Sequence, residues 1–586
     1  MHNRLRDSLN QAAVGVALFS VFAMAGAPVP AHAQGQAREA PQASQANTFL
    51  ELLTQANEKT KAKQWAEAAQ LWAKVAQLNP VEGDVWDQLA KARYETRDYR
   101  GAIPAFEKAF ELGSDFPCRQ AYNVARCYGM LGEKEQAMKW VEKAFALGYR
   151  RLDVARNDPA LSLLHSNARF QTIAGLVDTS KMTRDEGWRY DLQFLSRELK
   201  RRSYDPFRRI SREEFEATVK RVNEAIPKLT DLQISIEFMK FVAKGSDAHT
   251  MVLGFFERPE FLQTIPVDLF LFEEGLFITE ADSRYQDLLG AQVLRFGSRT
   301  IPEVLESLDP IISRDNKLSA LKVMGLMRMR NLPLLHALGL IPEPDKVSLS
   351  IIDREGKARS VTLPADARIP SRKLWDGLPA GWKSFKDLGP GPLPLYMKNI
   401  YAPYWFEYLP DKKLVYFQFN RVMDDTQESL AQFSDRLFKF INEHEVEKLI
   451  IDMRWNPGGN TMQLPPLIHG LIRCEKINER GKLFAIIGRR TFSAAQNAAT
   501  FIERESKAIF VGEPTGSSPN FIGEENEATF ELPFSKLQVN VSYLFWQSSW
   551  PMDARPWIAP LLYTPPRFEL LRANRDPAME AILAYR

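Results

Sequence analysis

Residues 414–460 read LVYFQFNRVMDDTQESLAQFSDRLFKFINEHEVEKLIIDMRWNPGGN, and this stretch decides the fold of the C-terminal third. The apolar run at 414–419 has the length and composition of a buried strand. Four apolar residues then recur on one helical face: Leu430, Phe433, Leu437 and Ile441. A second apolar run at 449–453 completes a strand–helix–strand unit, which predicts an α/β core with parallel strands.

The second predicted strand ends in the loop RWNPGGN at 454–460. Gly458 and Gly459 allow backbone N–H groups to point into an open cleft beyond the carboxyl ends of the strands. A loop of this kind can bind negative charge that develops during a reaction. A helix near 462–473 and a strand at 483–487 predict a second unit, which leads into GRRTFSAAQ at 488–496.

Ser493 lies where this second unit turns from strand to helix. Ala494 and Ala495 favour helix and leave space around the serine hydroxyl. The N-terminus of a helix favours an oxyanion, because its first N–H groups have no partner within the helix. Two interpretations remain open from the motif alone: Ser493 is a nucleophile, or it caps the helix in a capping box with Gln496.

A second polar motif, GSDAHT at 245–250, precedes the strand-like residues 251–253. Its histidine, His249, falls at a junction between helix and strand, where an imidazole can act as a general base near neutral pH. The alternative is a histidine that caps a helix or is satisfied within the core. Nothing in the chain matches H-E-x-x-H, so we expect no catalytic zinc, and no other metal or cofactor is predicted.

The N-terminal residues predict export. Arg4 and Arg6 precede an apolar run at 12–29, and Ala31-His32-Ala33 forms an A-x-A cleavage pattern before Gln34. We therefore expect a signal peptide at 1–33, a flexible linker at 34–47, and a periplasmic or secreted mature protein. The alternative is an uncleaved membrane anchor. No later stretch reaches the ~20 apolar residues of a membrane span.

A repeated pattern follows the linker. Ala68, Ala102 and Ala137 occupy equivalent places in three helical segments, at offsets of 34 and 35 residues (102 − 68 and 137 − 102). About 34 residues is the period of tetratricopeptide repeats, whose small residues let paired helices approach each other. We predict an all-α repeat solenoid at 48–150, with a concave surface for a peptide or a protein partner. An ordinary helical bundle is the alternative.

The remaining segments predict a multi-domain chain. Residues 151–255 keep a helical pattern and lead into the core. Residues 256–375 alternate strand-like runs with a helix near 301–308, an order that resembles a degenerate PDZ-like module without a clear carboxylate-binding loop. Residues 376–586 form the predicted α/β core.

Composition excludes several classes of protein. The chain has 586 residues, of which 45% are hydrophobic and 25% are charged, as in globular proteins. Its 76 Lys and Arg nearly balance its 73 Asp and Glu, so nucleic acid is a poor candidate partner. The three cysteines form no C-x-x-C pair, so the sequence predicts neither a disulfide framework nor a cysteine zinc site.

Four motifs together carry a family resemblance: SDAHT at 246–250, DMRWNPGGN at 452–460, GRRTFSAAQNA at 488–498 and VGEPTG at 511–516. Over about 185–586 the chain resembles the tail-specific (C-terminal processing) serine proteases, and within them the branch of the tricorn core protease. The resemblance implies a crotonase-like α/β core with Ser493 as nucleophile and His249 as the base that takes its proton. It also implies an oxyanion hole formed by the N–H groups of Ala494 and of Gly458 or Gly459.

The sequence departs from this pattern in the residues that would support the base. Ser518 stands where the serine–lysine branch would have its lysine, and Ala248 replaces a serine beside the histidine. Glu513 and Asp553 are candidates for the acid that orients His249. Each also has a structural alternative, in which Glu513 bonds turn amides and Asp553 pairs with the neighbouring arginine. Leu561 follows the Trp-Ile-Ala-Pro string where relatives commonly have an acid.

Two functions follow from these expectations. The first is an exported serine peptidase that cleaves peptide bonds through an acyl-enzyme on Ser493, with the repeats recruiting a substrate or partner. The second is a catalytically inactive scaffold that binds extended peptides or hydrophobic ligands with a protease-like core. Other hydrolases, such as esterases, remain a third class.

Overall fold

The computed structural model describes residues 41–114, 116–245, 247–253, 263–368, 377–388, 392–525 and 528–585. The predicted signal peptide at 1–33 and its cleavage site lie outside these residues, as does the first half of the predicted linker. Within the described ranges, no helix is both long enough and apolar enough to cross a bilayer.

Three successive helical hairpins form the N-terminal part. Their helices are α1 (Pro41–Lys61), α2 (Trp65–Leu78), α3 (Gly83–Glu95), α4 (Tyr99–Glu111), α5 (Pro117–Met130) and α6 (Lys134–Ala146). The repeated alanines at 68, 102 and 137 are fully buried, and the first two share a core with Trp72 and Phe106. Helix α1 begins at Pro41, inside the stretch expected to be a linker, because proline is well tolerated in the first turn of a helix.

Further helices connect the hairpins to the sheets: α7 (Leu152–Asn157), α8 (Ala168–Ala174), α9 (Arg184–Arg202), α10 (Arg212–Ala225) and α11 (Asp231–Gly245). Thr183 and Glu186 form a capping box at the start of α9. At the other end of α9, Glu198 is buried and forms ion pairs with Arg201 at 2.6 Å and Arg202 at 2.7 Å. This buried network joins α9 to the last hairpin, because the Arg201 guanidinium also donates to the carbonyl of Tyr149.

An antiparallel sheet forms the middle of the chain. Its strands are β3 (Val267–Phe272), β4 (Gly275–Asp282), β5 (Gln292–Phe296), β6 (Arg299–Thr300), β7 (Lys346–Ile352), β8 (Ala358–Pro364) and β10 (Trp382–Ser384). The order is β10-β4-β5-β7-β8, with β3 beside β4 and β6 beside β5. The pairing of β10 with β4 carries this sheet past residue 375, where the sequence places the end of the module.

Short helices lie between β6 and β7: α12 (Ile301–Leu308), α13 (Lys317–Ala320), α14 (Leu326–Met329) and α15 (Leu332–Ala337). A π-helical turn at Leu321–Gly325 joins α13 to α14. Two further strands, β2 (Gln263–Thr264) and β9 (Ala367–Arg368), pair with each other outside the sheet. The helical region and this module share one continuous apolar core.

The predicted strand–helix–strand units are confirmed in a six-stranded sheet. Its strands are β11 (Tyr404–Leu409), β12 (Leu414–Phe419), β13 (Lys448–Asp452), β14 (Leu483–Ile487), β15 (Ile509–Gly512) and β20 (Leu562–Tyr563), in that order. All neighbours are parallel except β11 and β12. The covering helices are α16 (Leu430–Glu443), α17 (Pro465–Arg473), α18 (Ala494–Glu505), α19 (Phe568–Arg572) and α20 (Pro577–Ala584). The four apolar residues predicted on one face of α16 are all fully buried.

Two small antiparallel sheets bring distant segments together. Their strands are β1 (Met251–Val252), β16 (Asn520–Gly523), β17 (Thr529–Glu531), β18 (Gln538–Asn540) and β19 (Leu544–Gln547). Strand β1 pairs with β18, and β16 pairs with β19. Because β1 begins two residues after His249, its pairing with β18 carries this histidine from the helical region to the C-terminal core.

Candidate active site

Ser493 occupies a strained turn between β14 and α18. Its φ of 55° and ψ of −126° lie in a region that non-glycine residues rarely adopt. The serine side chain makes no capping hydrogen bond, and the side-chain amide of Gln496 bonds Thr500 instead. The interpretation of Ser493 as a helix cap is therefore wrong. A strained serine between a strand and a helix is the arrangement of a nucleophile elbow, which exposes the hydroxyl.

Hydrogen bonds fix this turn to the glycine loop that follows β13. The Thr491 hydroxyl donates to the carbonyl of Met453 at 2.9 Å, and the N–H of Phe492 donates to the carbonyl of Asn456 at 3.1 Å. Gly458 lies directly against the serine: a Cβ added there would fall 2.7 Å from the Cβ of Ser493. The two loops thus enclose one small space beside the hydroxyl.

The two glycines differ in whether their N–H groups are available. The N–H of Gly458 donates to the side-chain oxygen of Asn456 at 2.9 Å. Gly459 forms a parallel bridge with Val422. In this bridge the N–H of Val422 donates to the carbonyl of Gly458, and the carbonyl of Val422 accepts the N–H of Asn460. The bridge therefore does not use the N–H of Gly459. Among the described residues, the N–H groups of Gly459 and Ala494 have no acceptor. Of the two glycines that the sequence left open, Gly459 is the one with a donor free for an oxyanion.

His249 reaches this turn across the fold. Its ring is stacked between Phe492, at a centroid distance of 4.5 Å, and Phe521, at 5.4 Å. The backbone of His249 is held by Asp247, which accepts its N–H, and by Asn540, which donates to its carbonyl, both at 2.9 Å. Both ring nitrogens are buried and find no hydrogen-bond partner in the described part of the chain, Ser493 included. The imidazole is therefore beside the serine turn but stacked rather than hydrogen bonded.

The two acids that the sequence suggested for orienting His249 have other partners. Glu513 accepts two hydrogen bonds from the Arg489 guanidinium, at 2.6 and 2.8 Å. Asp553 pairs with Arg555, whose guanidinium holds the pKa of this carboxyl well below its usual range. Neither acid contacts His249. The structural alternative for Asp553 is confirmed, whereas Glu513 bonds an arginine rather than turn amides.

Three other carboxylates surround the histidine. Asp247 accepts the N–H groups of His249 and Thr250 and so fixes the turn that carries the ring. Burial raises the pKa of Asp315 and of Glu524, and in both cases the electrostatic effect of His249 opposes the rise. Asp247 lies within the SDAHT motif, where a sequence reading could have found it. Asp315 and Glu524 lie outside every motif, so only the fold reveals them.

The loop that carries the glycines is anchored at its other end by a buried ion-pair network. The Arg454 guanidinium donates to both carboxylate oxygens of Asp576, at 3.0 and 2.8 Å. Arg454 also bonds Asp452, which accepts the hydroxyl of Tyr416 at 2.7 Å. Asp576 caps α20, so this helix holds the loop in place.

No group of three or more His, Cys, Asp or Glu residues in the described ranges is arranged to hold a metal ion. No protein-family model matches the chain, and no curated protein matches it either. The chain does show similarity to several solved structures, all at low sequence identity.

One similar structure is mature CPAF complexed with lactacystin, at 12% identity and a TM-score of 0.46, covering 68% of this chain and 97% of that one. Another is the photosystem II D1 C-terminal processing protease, at 11% identity and a TM-score of 0.34, covering 69% of this chain and 97% of that one. The Yersinia enterocolitica type III secretion translocator chaperone SycD covers 22% of this chain and 91% of its own length, at 16% identity and a TM-score of 0.17. At such values, the function of this protein has to be argued from its own residues.

Proposed function

We propose that the protein is a serine peptidase that hydrolyses peptide bonds through an acyl-enzyme on Ser493. One observation carries the proposal: the strained turn of Ser493 lies beside two backbone N–H groups without acceptors, those of Gly459 and Ala494. Aimed backbone donors stabilise the tetrahedral anion of acyl transfer, and losing one typically costs about 10²–10³ in rate. The His249 ring is stacked on Phe492, the residue before the serine, and is the candidate base of this turn.

The reaction would proceed in two halves. Ser493 Oγ attacks the carbonyl carbon of the peptide bond while a ring nitrogen of His249 takes the hydroxyl proton. The N–H groups of Gly459 and Ala494 donate to the oxyanion, and the imidazolium then gives its proton to the departing amine. Water attacks the resulting ester by the same route and releases Ser493. The hydroxyl and the imidazole need to come within about 2.6–3.2 Å, a distance that free enzymes often reach only with substrate bound.

The finer assignments belong to the same proposal. We place the chain in the tail-specific protease superfamily, near the tricorn core protease, because its four motifs occur in that order. The three hairpins would be tetratricopeptide repeats that recruit a peptide substrate or protein partner, and the middle sheet would be a PDZ-like module. The A-x-A pattern before Gln34 supports export to the periplasm or the exterior.

A second candidate function is a catalytically inactive scaffold that binds extended peptides or hydrophobic ligands. Leu561 supports it, because its apolar side chain stands where relatives commonly carry an acid. The absence of a hydrogen bond between the His249 ring and Ser493 among the described residues also favours it.

Labelling by a fluorophosphonate probe distinguishes the two functions. The purified full chain is treated at pH 8, beside Ser493→Ala and a control, Ser506→Ala, at the other end of α18. We expect labelling of the wild type and the control, and none of Ser493→Ala. Folded wild-type protein that takes no label would favour the scaffold. A peptide library then separates a peptidase, which cleaves it, from an esterase, which does not.

A further inference from the structure

The imidazole of His249 lacks the partner that a general base ordinarily has. A serine-hydrolase base is oriented by a third group, which also stabilises the imidazolium that forms when the base takes a proton. Both sequence candidates for this group are engaged elsewhere, Glu513 by Arg489 and Asp553 by Arg555. The ring nitrogens are nevertheless buried, where an unpartnered charge is costly. Some negative charge close to the ring is therefore required if His249 is to act.

Asp315 brings one carboxylate to this region from the middle module. Its two oxygens accept the N–H of Ala248 at 3.2 Å and the hydroxyl of Ser517 at 2.7 Å. The neighbouring Asn316 donates to the carbonyls of Thr515 and Pro556, at 3.3 and 3.1 Å, and so fixes the segment to the C-terminal core. Asp315 thus holds the residue that precedes the histidine.

Glu524 brings a second carboxylate from the end of β16, the strand whose Phe521 stacks on the imidazole. It accepts the hydroxyl of Ser542 at 3.0 Å. The N–H of Ser542 in turn donates to the hydroxyl of Thr250, at 3.0 Å. Glu524 is therefore tied to the residue that follows the histidine, as Asp315 is to the one that precedes it.

The other groups near the ring do not supply this charge in the same way. Asp247 uses both oxygens on its own turn, where it accepts the N–H of His249 and the N–H and hydroxyl of Thr250. Phe492 and Phe521 are uncharged. Arg209, a cation between α9 and α10, donates to the backbone carbonyls of residues 314 and 315.

We propose that Asp315 and Glu524 are the positioning residues of this site and together stabilise the imidazolium of His249. The proposal rests on the proposed peptidase function and deepens it. The proton moves from Ser493 Oγ to the ring and later to the leaving amine, and neither carboxylate takes it up. In a simple triad one acid supplies the negative charge. Here two acids supply it together, Asp315 from the segment between α12 and α13 and Glu524 from the end of β16.

The pH dependence of fluorophosphonate labelling tests this assignment. Second-order labelling rates are measured from pH 5 to pH 9 for the wild type, Asp315→Asn, Glu524→Gln and the double variant. The matched controls are Asp366→Asn and Glu531→Gln, two exposed acids paired with Arg284 and Lys536. We expect each single variant to label about tenfold more slowly at pH 8, and the double variant more slowly still.

The acidic limb of the curve of labelling rate against pH distinguishes an electrostatic role of the two acids from a structural one. Removing a negative neighbour makes an imidazole easier to deprotonate, so the limb should move to lower pH by about one unit. A slower rate with an unmoved limb would assign both acids a structural role only and overturn the proposal. Rates and limbs within twofold of the controls would overturn it as well. If Asp315→Asn does not fold, Glu524→Gln alone decides.

An NMR titration keeps the inference testable even if the wild type takes no label, an outcome that would refute the peptidase function alone. The ring signal of His249 is assigned with His249→Gln in histidine-labelled protein and followed against pH. We expect a lower titration midpoint in Asp315→Asn and in Glu524→Gln than in wild type. An unchanged midpoint in both variants would refute the inference itself.

Discussion

The imidazole of His249 lies parallel to the ring of Phe492, with 4.5 Å between centroids and 19° between planes. Because Phe492 immediately precedes Ser493, this contact delivers the candidate base to the candidate nucleophile. Stacked aromatic rings at this distance add attraction beyond their burial. The stack therefore determines where the base sits before substrate arrives.

Replacing Phe492 by leucine tests the role of this stack. Leucine keeps an apolar side chain but removes the flat surface against which the ring lies, so the imidazole loses its fixed orientation. We expect Phe492→Leu to be labelled by a fluorophosphonate about tenfold more slowly than the wild type. Phe545→Leu, on the strand paired with β16, should keep the wild-type rate. Equal rates for both variants would show that the stack does not position the base.

Gly459→Ala tests the oxyanion loop. Gly459 has a φ of +140°, and an added Cβ would fall 2.0 Å from the carbonyl oxygen of Val422, so the loop has to move. We expect a loss of about a hundredfold or more in labelling rate. Gly356→Ala is the control: its φ is also positive, at +83°, but no atom lies within 4 Å of the added Cβ. It should cost about 1 kcal/mol of stability and leave labelling intact. Wild-type labelling of Gly459→Ala would remove this N–H from the mechanism.

The buried pair of Arg454 and Asp576 predicts a large loss of stability when one partner is removed. Asp576→Asn leaves a buried guanidinium without one of its carboxylates, which typically costs about 3–5 kcal/mol. Urea unfolding measures the change. Glu580→Gln is the control, because it removes a surface pair with Arg575 at the same helix and should cost less than about 1 kcal/mol. A loss as small as this for Asp576→Asn would show that the buried pair does not stabilise the fold.

An acid at position 561 should not raise activity. Leu561 is 58% exposed, and its backbone N–H donates to the carbonyl of Phe510 at the sheet edge. A carboxylate there would face solvent, where its charge is screened. We expect Leu561→Asp to change the labelling rate less than twofold. A tenfold increase would instead place this position in the site.

Glu198 predicts an acid-dependent loss of stability. Burial alone would raise its pKa, but Arg201 and Arg202 outweigh burial and lower the pKa from 4.5 to about 2. A carboxylate whose folded pKa is depressed stabilises the fold above its unfolded pKa and loses that contribution as pH falls through the folded one. The wild type should therefore be more stable than Glu198→Gln at pH 7, and the difference should shrink between pH 4.5 and about 2. A difference that stays constant over this range would contradict the assigned pKa.

Local sequence patterns predicted individual elements well. The runs at 414–419, 483–487 and 301–308 coincide with β12, β14 and α12. Such patterns reflect burial on one or both faces, which depends on neighbours within the same element. The same patterns do not predict the start of α1 at Pro41, because a proline-led, alanine-rich stretch fits a linker as well as a helix.

The support of the base was not predictable in the same way. Asp315 and Glu524 reach His249 only through contacts between distant segments, and neither stands in a recognisable motif. Glu513 does stand in a motif, yet its carboxylate bonds Arg489 instead of the histidine. Sequence could not decide between capping and nucleophilic roles for Ser493 either, since the deciding quantity is a backbone dihedral angle.

The strand that delivers His249 is only two residues long, Met251 paired with Asn540 and Val252 paired with Val539. So short a strand pairing can open locally at a free-energy cost far below that of unfolding the whole protein. An extended segment that displaced β1 from its edge of β18 would inactivate the protein without unfolding it. Circular dichroism and thermal unfolding would then not detect this inactive state, and only the reactivity of Ser493 would report it.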